Sequence, residues 1–537
     1  AHVDLTRPDE QFGDYATNVA LQLAGKVGKN PREVAEVLAD KLRENLAAQV
    51  GKVDVAGPGF INLTLSDEAL LGLLGERPAE SLNGQVIVAE YSDPNPFKVL
   101  HAGHLYTSVV GDAIANLLEQ ASGEVHRVNF GGDVGLHVAK NMWAILRYLG
   151  GEHPEKMSEV PEDQRPDWLS QRYVEGNEAY ETNEAAKPEI TEINKRIYGL
   201  HNDDDHDSPF AQIYWTARQW SYDYFDKFYA RIGSHFEKYY PESETAPIGL
   251  KTVREHIGDV YKESDGAVVF DGEKYGLHTR VFINSAGLPT YEAKDVGLIM
   301  KKWQDYHFDR SIVITGNDIE QYMQVVLKSV EQFQPELAKA TTHLTHGMVK
   351  LAGGMKMSSR TGNVLRAVDV IDAAVEAYKT LVGTVNYNEQ AVLGAVKYAF
   401  LKNRLGGDII YDPQESVSLE GNSGPYLQYA HARARSILAK AGADGSLQMT
   451  EFEPGERSLV RKVGEYAEVV NKAVNELMPH HIATYLYELA QTFNRFYEHN
   501  RVIGDKRQAL RLALVGRYAD TLKNGLELLG IAAPDKM

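Results

Sequence analysis

The sequence contains no cysteine, and that absence removes disulfide scaffolds, zinc ribbons, iron–sulfur clusters and thiol nucleophiles together. Covalent or metal chemistry would have to use His, Asp, Glu, Ser or Lys. No apolar run reaches the roughly 18–20 residues of a membrane span, and the amino-terminal AHVDLTRPDEQFGD holds neither a basic nor an apolar signal region. No membrane partner and a cytoplasmic location are expected. Internal repeats and low-complexity tracts are missing too. What is present is length: 537 residues, at roughly 100–200 per domain, predict about three or four domains and exclude a minimal binding module.

An excess of positive charge is also missing, since the formal net charge is −19. A global sum does not decide local recognition. Glu152 to Asp259 holds 23 acidic against 12 basic residues, whereas Leu401 to the end holds 17 of each sign. The acidity therefore belongs mainly to one segment, and the rest of the chain remains free to meet phosphate.

The pattern along the chain predicts an α/β protein with a Rossmann-type doubly wound parallel sheet, between a small N-terminal α/β domain and a C-terminal α-helical bundle. Residues 1–78 mix helical spacing at Val34, Val37, Leu38, Leu42 and Leu46 with strand-like VDVAGPGFINLTL. From 79 to 385, Gln85–Glu90 reads as a strand, SDPNPFK as a turn, and Leu105, Val109, Ala113 and Leu117 as one helix face. Val125–Phe130 then leads into Gly131–Gly132–Asp133–Val134–Gly135, and Ser311–Thr315 is a later buried strand ending at Gly316. Alternation of this kind places ligands at the carboxyl ends of parallel strands. The acidic, aromatic stretch near 150–260 interrupts it and reads as an insertion. Residues 386–537 carry long helical patterns with few glycines.

Two constellations carry chemistry. Lys98–Val99–Leu100–His101–Ala102–Gly103–His104 sits where a strand hands over to a helix. Histidines three apart share one face of a first helical turn, where ring N–H groups and the helix dipole both meet incoming anionic oxygen. Lys356–Met357–Ser358–Ser359–Arg360–Thr361–Gly362, after Gly353–Gly354, offers cations and hydroxyls on a glycine-flanked loop suited to polyphosphate.

Together, HxGH and KMSxx resemble the paired signatures of class I aminoacyl-tRNA synthetases. In that family both stabilise the pentacovalent α-phosphate as an amino-acid carboxylate displaces pyrophosphate, which is electrostatic catalysis by positioned donors. Within the class, Glu90–Tyr91–Ser92–Asp93–Pro94–Asn95–Pro96–Phe97–Lys98, Tyr291–Glu292–Ala293–Lys294–Asp295 and Gly421–Asn422–Ser423–Gly424–Pro425–Tyr426–Leu427–Gln428–Tyr429 resemble the arginyl-tRNA synthetases. So do Gly13–Asp14–Tyr15–Ala16–Thr17–Asn18, Gly57–Pro58–Gly59–Phe60–Ile61–Asn62 and the ending Leu529–Gly530–Ile531–Ala532–Ala533–Pro534.

The resemblance implies an arginine–tRNA ligase that uses ATP with Mg2+, arginine and tRNA(Arg), needs bound tRNA even for the first step, and is a monomer without zinc. It implies catalytic roles for Lys98, His101, His104, Lys356 and Ser358. ATP contacts fall to Gly103, Gly132, Asp133, Asn317, Asp318, Met357, Ser359 and Arg360. Arginine contacts fall to Glu90, Ser92, Asn95, Tyr291 and Asp295, the acids facing the guanidinium, which suits a cation that cannot be neutralised. tRNA contacts fall to Phe60 and Asn62 in an elbow-binding domain and to Tyr426, Gln428, Tyr429 and Arg433 in an anticodon domain, among cations such as Arg507 and Arg511. Ser359 stands where the class commonly has a second lysine, and Lys98 is expected to share phosphate neutralisation with Lys356. Other class I synthetases, for glutamate, glutamine or cysteine, fit the acidic pair less well. An inactive RNA-binding paralogue does not account for the intact His101, His104, Lys356 and Ser358.

Overall fold

The computed structural model describes residues 3–352, 365–442, 445–447 and 451–537. The second constellation, including Lys356, Met357, Ser358, Ser359 and Arg360, lies outside the described residues.

Five parallel strands form the central sheet, in the order Thr341–His346, Arg310–Gly316, Val86–Glu90, Glu124–Gly131, Lys238–Pro241. The middle strand shows why a near-continuous apolar run is needed here: Ile87, Val88 and Ala89 are all 0% exposed, as expected for a parallel strand covered on both faces. Its helix, Ala102–Gln120, buries the predicted stripe Leu105, Val109, Ala113 and Leu117. The chain builds outward from Val86–Glu90 through Glu124–Gly131 to Lys238–Pro241, then returns to lay Arg310–Gly316 on the other side. That reversal opens a crevice at the carboxyl ends of Val86–Glu90 and Arg310–Gly316.

The 150–260 stretch contributes the helices Arg165–Thr182, Ala186–Asp203 and Pro209–Ile232, which share a core with the Leu136–Leu149 helix. The central sheet's largest core, by contrast, continues without a break into the C-terminal helices, through residues such as Ile114, Val396, Leu427 and Leu522. Not everything C-terminal is helical. Ile409–Tyr411 pairs in parallel with Val349–Leu351, a strand too short to announce itself by periodicity. Among the described residues no helix is long and apolar enough to cross a membrane.

At the amino end, Tyr15–Thr17, Phe60–Leu65 and Val50–Ala56 form an antiparallel sheet under the helices Val19–Val27 and Pro31–Asn45. Val34, Leu38, Leu42 and Leu46 pack against this core as read from the sequence, joined by the wholly buried Ala35 and Ala39, whereas Val37 is exposed. Small side chains let the helix lie close to the sheet. This domain is pinned to the Pro454–Gly464 helix through Asp14, 2% exposed, which accepts from Leu65 N at 2.7 Å and pairs with Arg457 at 2.6 Å and Arg461 at 3.3 Å. Arg7 pairs with Glu468 at 2.7 Å beside it. Removing one member of a buried ion cluster costs about 3 kcal/mol. Asp14→Ala is therefore expected to speed proteolytic cleavage of the 74–85 connection roughly 100-fold, read as nicking rate on a gel; an unchanged rate refutes the clamp.

Candidate active site

His101 caps the Ala102–Gln120 helix, and the cap is reciprocal. His104 N–H donates to His101 Nδ1 at 3.3 Å, and His101 N–H donates to His104 Nδ1 at 3.1 Å. The rings stack at 3.6 Å. A side chain on Gly103 would put its Cβ 2.8 Å from the His101 ring, so glycine is what permits the stack. With each Nδ1 occupied as an acceptor, the ring proton of each neutral imidazole sits on Nε2. Burial, with the Lys98 ammonium adding to it, pushes His101 down to about 4, and burial with His101 and Lys98 pushes His104 well below its ordinary value. Both rings are thus uncharged donors near neutral pH. They stand at a helix N-terminus that favours anions.

The turn from Glu90 to Lys98 is held in unusual backbone. Ser92, Asp93 and Phe97 all have positive φ, at 75°, 49° and 67°, a conformation costly for non-glycine residues and maintained only by surrounding contacts. Those contacts are explicit. Asp93 Oδ1 accepts from Phe130 N–H at 2.8 Å, Asn95 Oδ1 from Gly132 N–H at 2.7 Å, and Ser221 Oγ from Phe97 N–H at 2.9 Å. Lys98 emerges from this turn beside both histidines, near enough to act on each.

Close to it lies a cluster of buried acids, the acidic pocket, between Glu90 and the helix Tyr291–Tyr306. Glu90, 3% exposed, is already salt-bridged to Lys302, which also donates to Ser311 Oγ at 3.0 Å. Asp295, 8% exposed, accepts from the Tyr322 hydroxyl. Burial, reinforced by Glu90 and Glu242, pushes Asp295 up to about 7 against the opposing Tyr322 hydrogen bond and Lys302. Burial and Glu90 likewise raise Asp93 well above the usual carboxylate range. Glu242 is raised by burial despite Lys294 at 2.5 Å. Four carboxyls, Glu90, Asp93, Glu242 and Asp295, therefore face two ammonium groups, Lys294 and Lys302. The surplus of carboxyls is driven toward protonation by burial and mutual repulsion, which a cationic ligand would relieve by favouring the ionised forms. Tyr291, 57% exposed, stands at the mouth with Lys294 4.9 Å from its ring.

Several expected contacts are not where the sequence reading put them. Glu90 is engaged by Lys302, so it adds negative potential rather than a free carboxylate. Ser92 is 4% exposed, and its hydroxyl is taken by Tyr229 at 2.8 Å and Ser108 at 3.0 Å. Asn95 uses its oxygen on Gly132, leaving its NH2 group to offer a ligand. Asp133 is 0% exposed, paired with Arg218 at 3.0 Å and bonded by the Ser243 N–H and hydroxyl at 2.9 and 2.7 Å; it pins the Glu242–Glu255 helix instead of contacting a nucleotide. Asn317 and Asp318 are exposed at the end of Arg310–Gly316, where Asp318 opposes the lowering of His101.

In the C-terminal bundle, Gln428 is wholly buried and donates to Gln390 O at 3.1 Å and Ala532 O at 2.8 Å, a fold contact and not a surface for RNA. Arg507 and Arg511 are bound to Glu456. Tyr429, 48% exposed, stays open to solvent. Arg433 lies 4.7 Å over the Tyr497 ring and Tyr426 OH accepts from Asn494 at 2.7 Å. In the N-terminal domain Phe60, 42% exposed, and Asn62 line a hollow of about 460 Å3 with Phe12, Ala16, Asn18 and Gly57.

Sequence reasoning missed Lys302, Tyr322 and His346. Lys302 follows Asp295 by seven residues, two helical turns, so the shared face was legible. His346, 4% exposed, ends the edge strand and meets Thr107 Oγ1 at 2.6 Å under the first turn of the His101 helix; nothing local marked it.

Three family models match. Residues 1–65 match the arginyl tRNA synthetase N-terminal domain, residues 70–412 the catalytic domain of class I (R) tRNA synthetases, and residues 427–537 the DALR anticodon binding domain. The chain is 30% identical to an arginine–tRNA ligase of Porphyromonas gingivalis and 29% identical to one of Bacteroides fragilis, covering 100% of this chain and 96% of each relative. The solved arginyl-tRNA synthetase of Thermus thermophilus superposes with a TM-score of 0.82 at 26% identity over 100% of this chain and 97% of that one. The match to the arginyl model spans well over half the sequence and includes the capped histidines and the acidic pocket: the chain belongs to the arginyl-tRNA synthetase family of class I aminoacyl-tRNA synthetases.

Proposed function

We propose that the chain ligates arginine to tRNA(Arg) in two steps. An arginine carboxylate oxygen attacks the α-phosphorus of ATP, forming the adenylate and releasing pyrophosphate. A hydroxyl of the terminal tRNA ribose then attacks the acyl carbon, and AMP leaves. ATP enters as its magnesium complex, the metal being part of the substrate.

The observation that carries this reading is the juxtaposition of two neutral, backbone-fixed histidine donors with a pocket holding more carboxyls than lysines. The donors meet charge that develops on the α-phosphate oxygens, with Lys98 beside them, and Gly103 keeps the backbone close to that site. The pocket selects a cation. Asp295 and Tyr291 take the guanidinium, Glu90 adds negative potential behind them, and Asn95 holds the α-amino and α-carboxylate end. Lys356 and Ser358 complete the phosphate grip, with Met357, Ser359 and Arg360 of the same loop against the nucleotide, and Asn317 and Asp318 border its ribose or adenine.

The tRNA lies along the molecule. Phe60 and Asn62 meet its elbow, while Tyr426, Tyr429 and Arg433 offer rings and a cation to splayed anticodon bases. In this reading 1–78 is the elbow domain, 79–385 the catalytic domain with its 150–260 insertion, and 386–537 the anticodon domain, in a cytoplasmic monomer. The test is ATP–pyrophosphate exchange with each amino acid, with and without total tRNA. Exchange with arginine alone among amino acids, and only with tRNA, is expected; exchange driven by another amino acid overturns the substrate assignment.

A further inference from the structure

The insertion helices Arg165–Thr182 and Pro209–Ile232 have no part in the reading above, yet they are built into the turn that presents Lys98. Asn141 Nδ2 donates both to Phe97 O and to Leu169 O, each at 2.9 Å, tying the residue before Lys98 to the Arg165–Thr182 helix. The Pro209–Ile232 helix accepts the Phe97 N–H through Ser221 Oγ and packs Tyr214 against the Phe97 ring at 5.7 Å. Phe97 itself is 0% exposed with φ of 67°, so these insertion contacts are among those that hold the strained step before the lysine.

The Arg165–Thr182 helix then reaches the lysine directly. Tyr173 follows Leu169 by one helical turn and so shares its face. Gly176 presses that helix so tightly on the Leu136–Leu149 helix that a Cβ there would fall 1.8 Å from Lys140 O. Tyr173 is thereby fixed with its ring centroid 4.3 Å from Lys98 Nζ. No carboxylate among the described residues pairs with Lys98 within salt-bridge distance. Its neighbours include His101, His104 and His137, all of them shifted down by burial and further by its charge.

We infer that Tyr173 is a positioning residue for phosphate binding: its ring holds the Lys98 ammonium over the cleft by a cation–π contact, so that the lysine is aimed at the triphosphate of ATP without being neutralised. A carboxylate partner would fix Lys98 as well, but would compete with phosphate for it and repel the incoming anion. A ring face attracts the cation, carries no net charge and is readily surrendered. The insertion is then part of the active site through Tyr173 as well as through the buried Glu242.

This inference rests on the reading of Lys98 as a phosphate ligand, and the experiment separates the two. ATP–pyrophosphate exchange is measured with arginine and tRNA for Lys98→Ala, Tyr173→Leu, Tyr173→Phe and the double variant Lys98→Ala/Tyr173→Leu, with unfolding temperature recorded for each. Lys98→Ala is expected to lower kcat/KM for ATP about 100-fold. Tyr173→Leu is expected to lower it about 5- to 20-fold with the KM for arginine unchanged. Tyr173→Phe, which keeps the ring, should stay within about twofold of wild type, and Tyr173→Leu should add less than about twofold on top of Lys98→Ala. If Lys98→Ala leaves exchange intact, the phosphate reading falls. If Lys98→Ala is impaired while Tyr173→Leu is not, or if Tyr173→Leu costs as much in the Lys98→Ala background, or if Phe fails like Leu, the positioning role falls.

Discussion

His104→Ala is expected to lower kcat for ATP–pyrophosphate exchange, measured with tRNA present, by about 100- to 1000-fold, the usual cost of removing one preorganised donor from a developing oxyanion. The size follows from the geometry. The ring cannot rotate its proton away, because Nδ1 is committed to the His101 N–H at 3.1 Å, and it cannot gain a second proton near neutral pH, because burial, His101 and Lys98 hold it well below its ordinary value. It is a donor of fixed direction and fixed charge. The wild-type rate should therefore show no histidine limb between about pH 6 and 9. Loss of the reciprocal cap also costs about 1 kcal/mol of stability, so unfolding temperature is measured alongside. His104→Gln, whose amide N–H reaches toward the Nε2 position, should recover part of the rate. A variant that loses the stability but keeps the rate would show that His104 caps the helix and does nothing more.

The sequence displayed the frame of this site better than its wiring. Buried parallel strands read as apolar runs, and Gly103 between two histidines at a strand-to-helix turn marked the site because few other arrangements need glycine there. What stayed hidden were partners chosen by the fold over long separations. Glu90 and Lys302 are 212 residues apart, and nothing near either residue announces the other. Gln428 shows the opposite error. Its place in a family-like motif suggested RNA, whereas a fully buried amide satisfying Gln390 O and Ala532 O is held for packing. Arg507 and Arg511 looked like phosphate ligands by composition, but a helix-face charge carries no label saying whether a carboxylate such as Glu456 will be folded against it. The insertion's net charge likewise drew attention to its solvated side and away from the stripe of Leu169, Tyr173 and Gly176, which packs inward and brings Tyr173 to Lys98.

Asp295→Asn should abolish arginine binding in the accessible range, weakening it about 100-fold or more, as expected when one partner of a buried charge pair is removed. The wild-type protein supplies a second, independent signature. Asp295 is pushed up to about 7 chiefly by burial, with Glu90 and Glu242 adding to it and Tyr322 and Lys302 opposing. A guanidinium prefers the ionised carboxylate, so arginine affinity should rise about tenfold per pH unit below 7 and level off above it, with about half a proton released per arginine bound at pH 7. Calorimetry in two buffers of different ionisation heat measures that release directly. The stability linkage runs the other way. Because the folded pKa lies above the unfolded value near 4, ionising Asp295 in the ligand-free protein costs stability progressively from about pH 4 to 7, and the cost is then constant. Asp295→Asn keeps an oxygen for the Tyr322 hydroxyl and removes the charge, so the variant should unfold at a higher temperature than wild type at about pH 8 while losing arginine. Arginine would then protect wild type, not the variant, against heat. A flat pH profile for arginine binding, or wild-type affinity in Asp295→Asn, would show that the guanidinium is met elsewhere in the pocket.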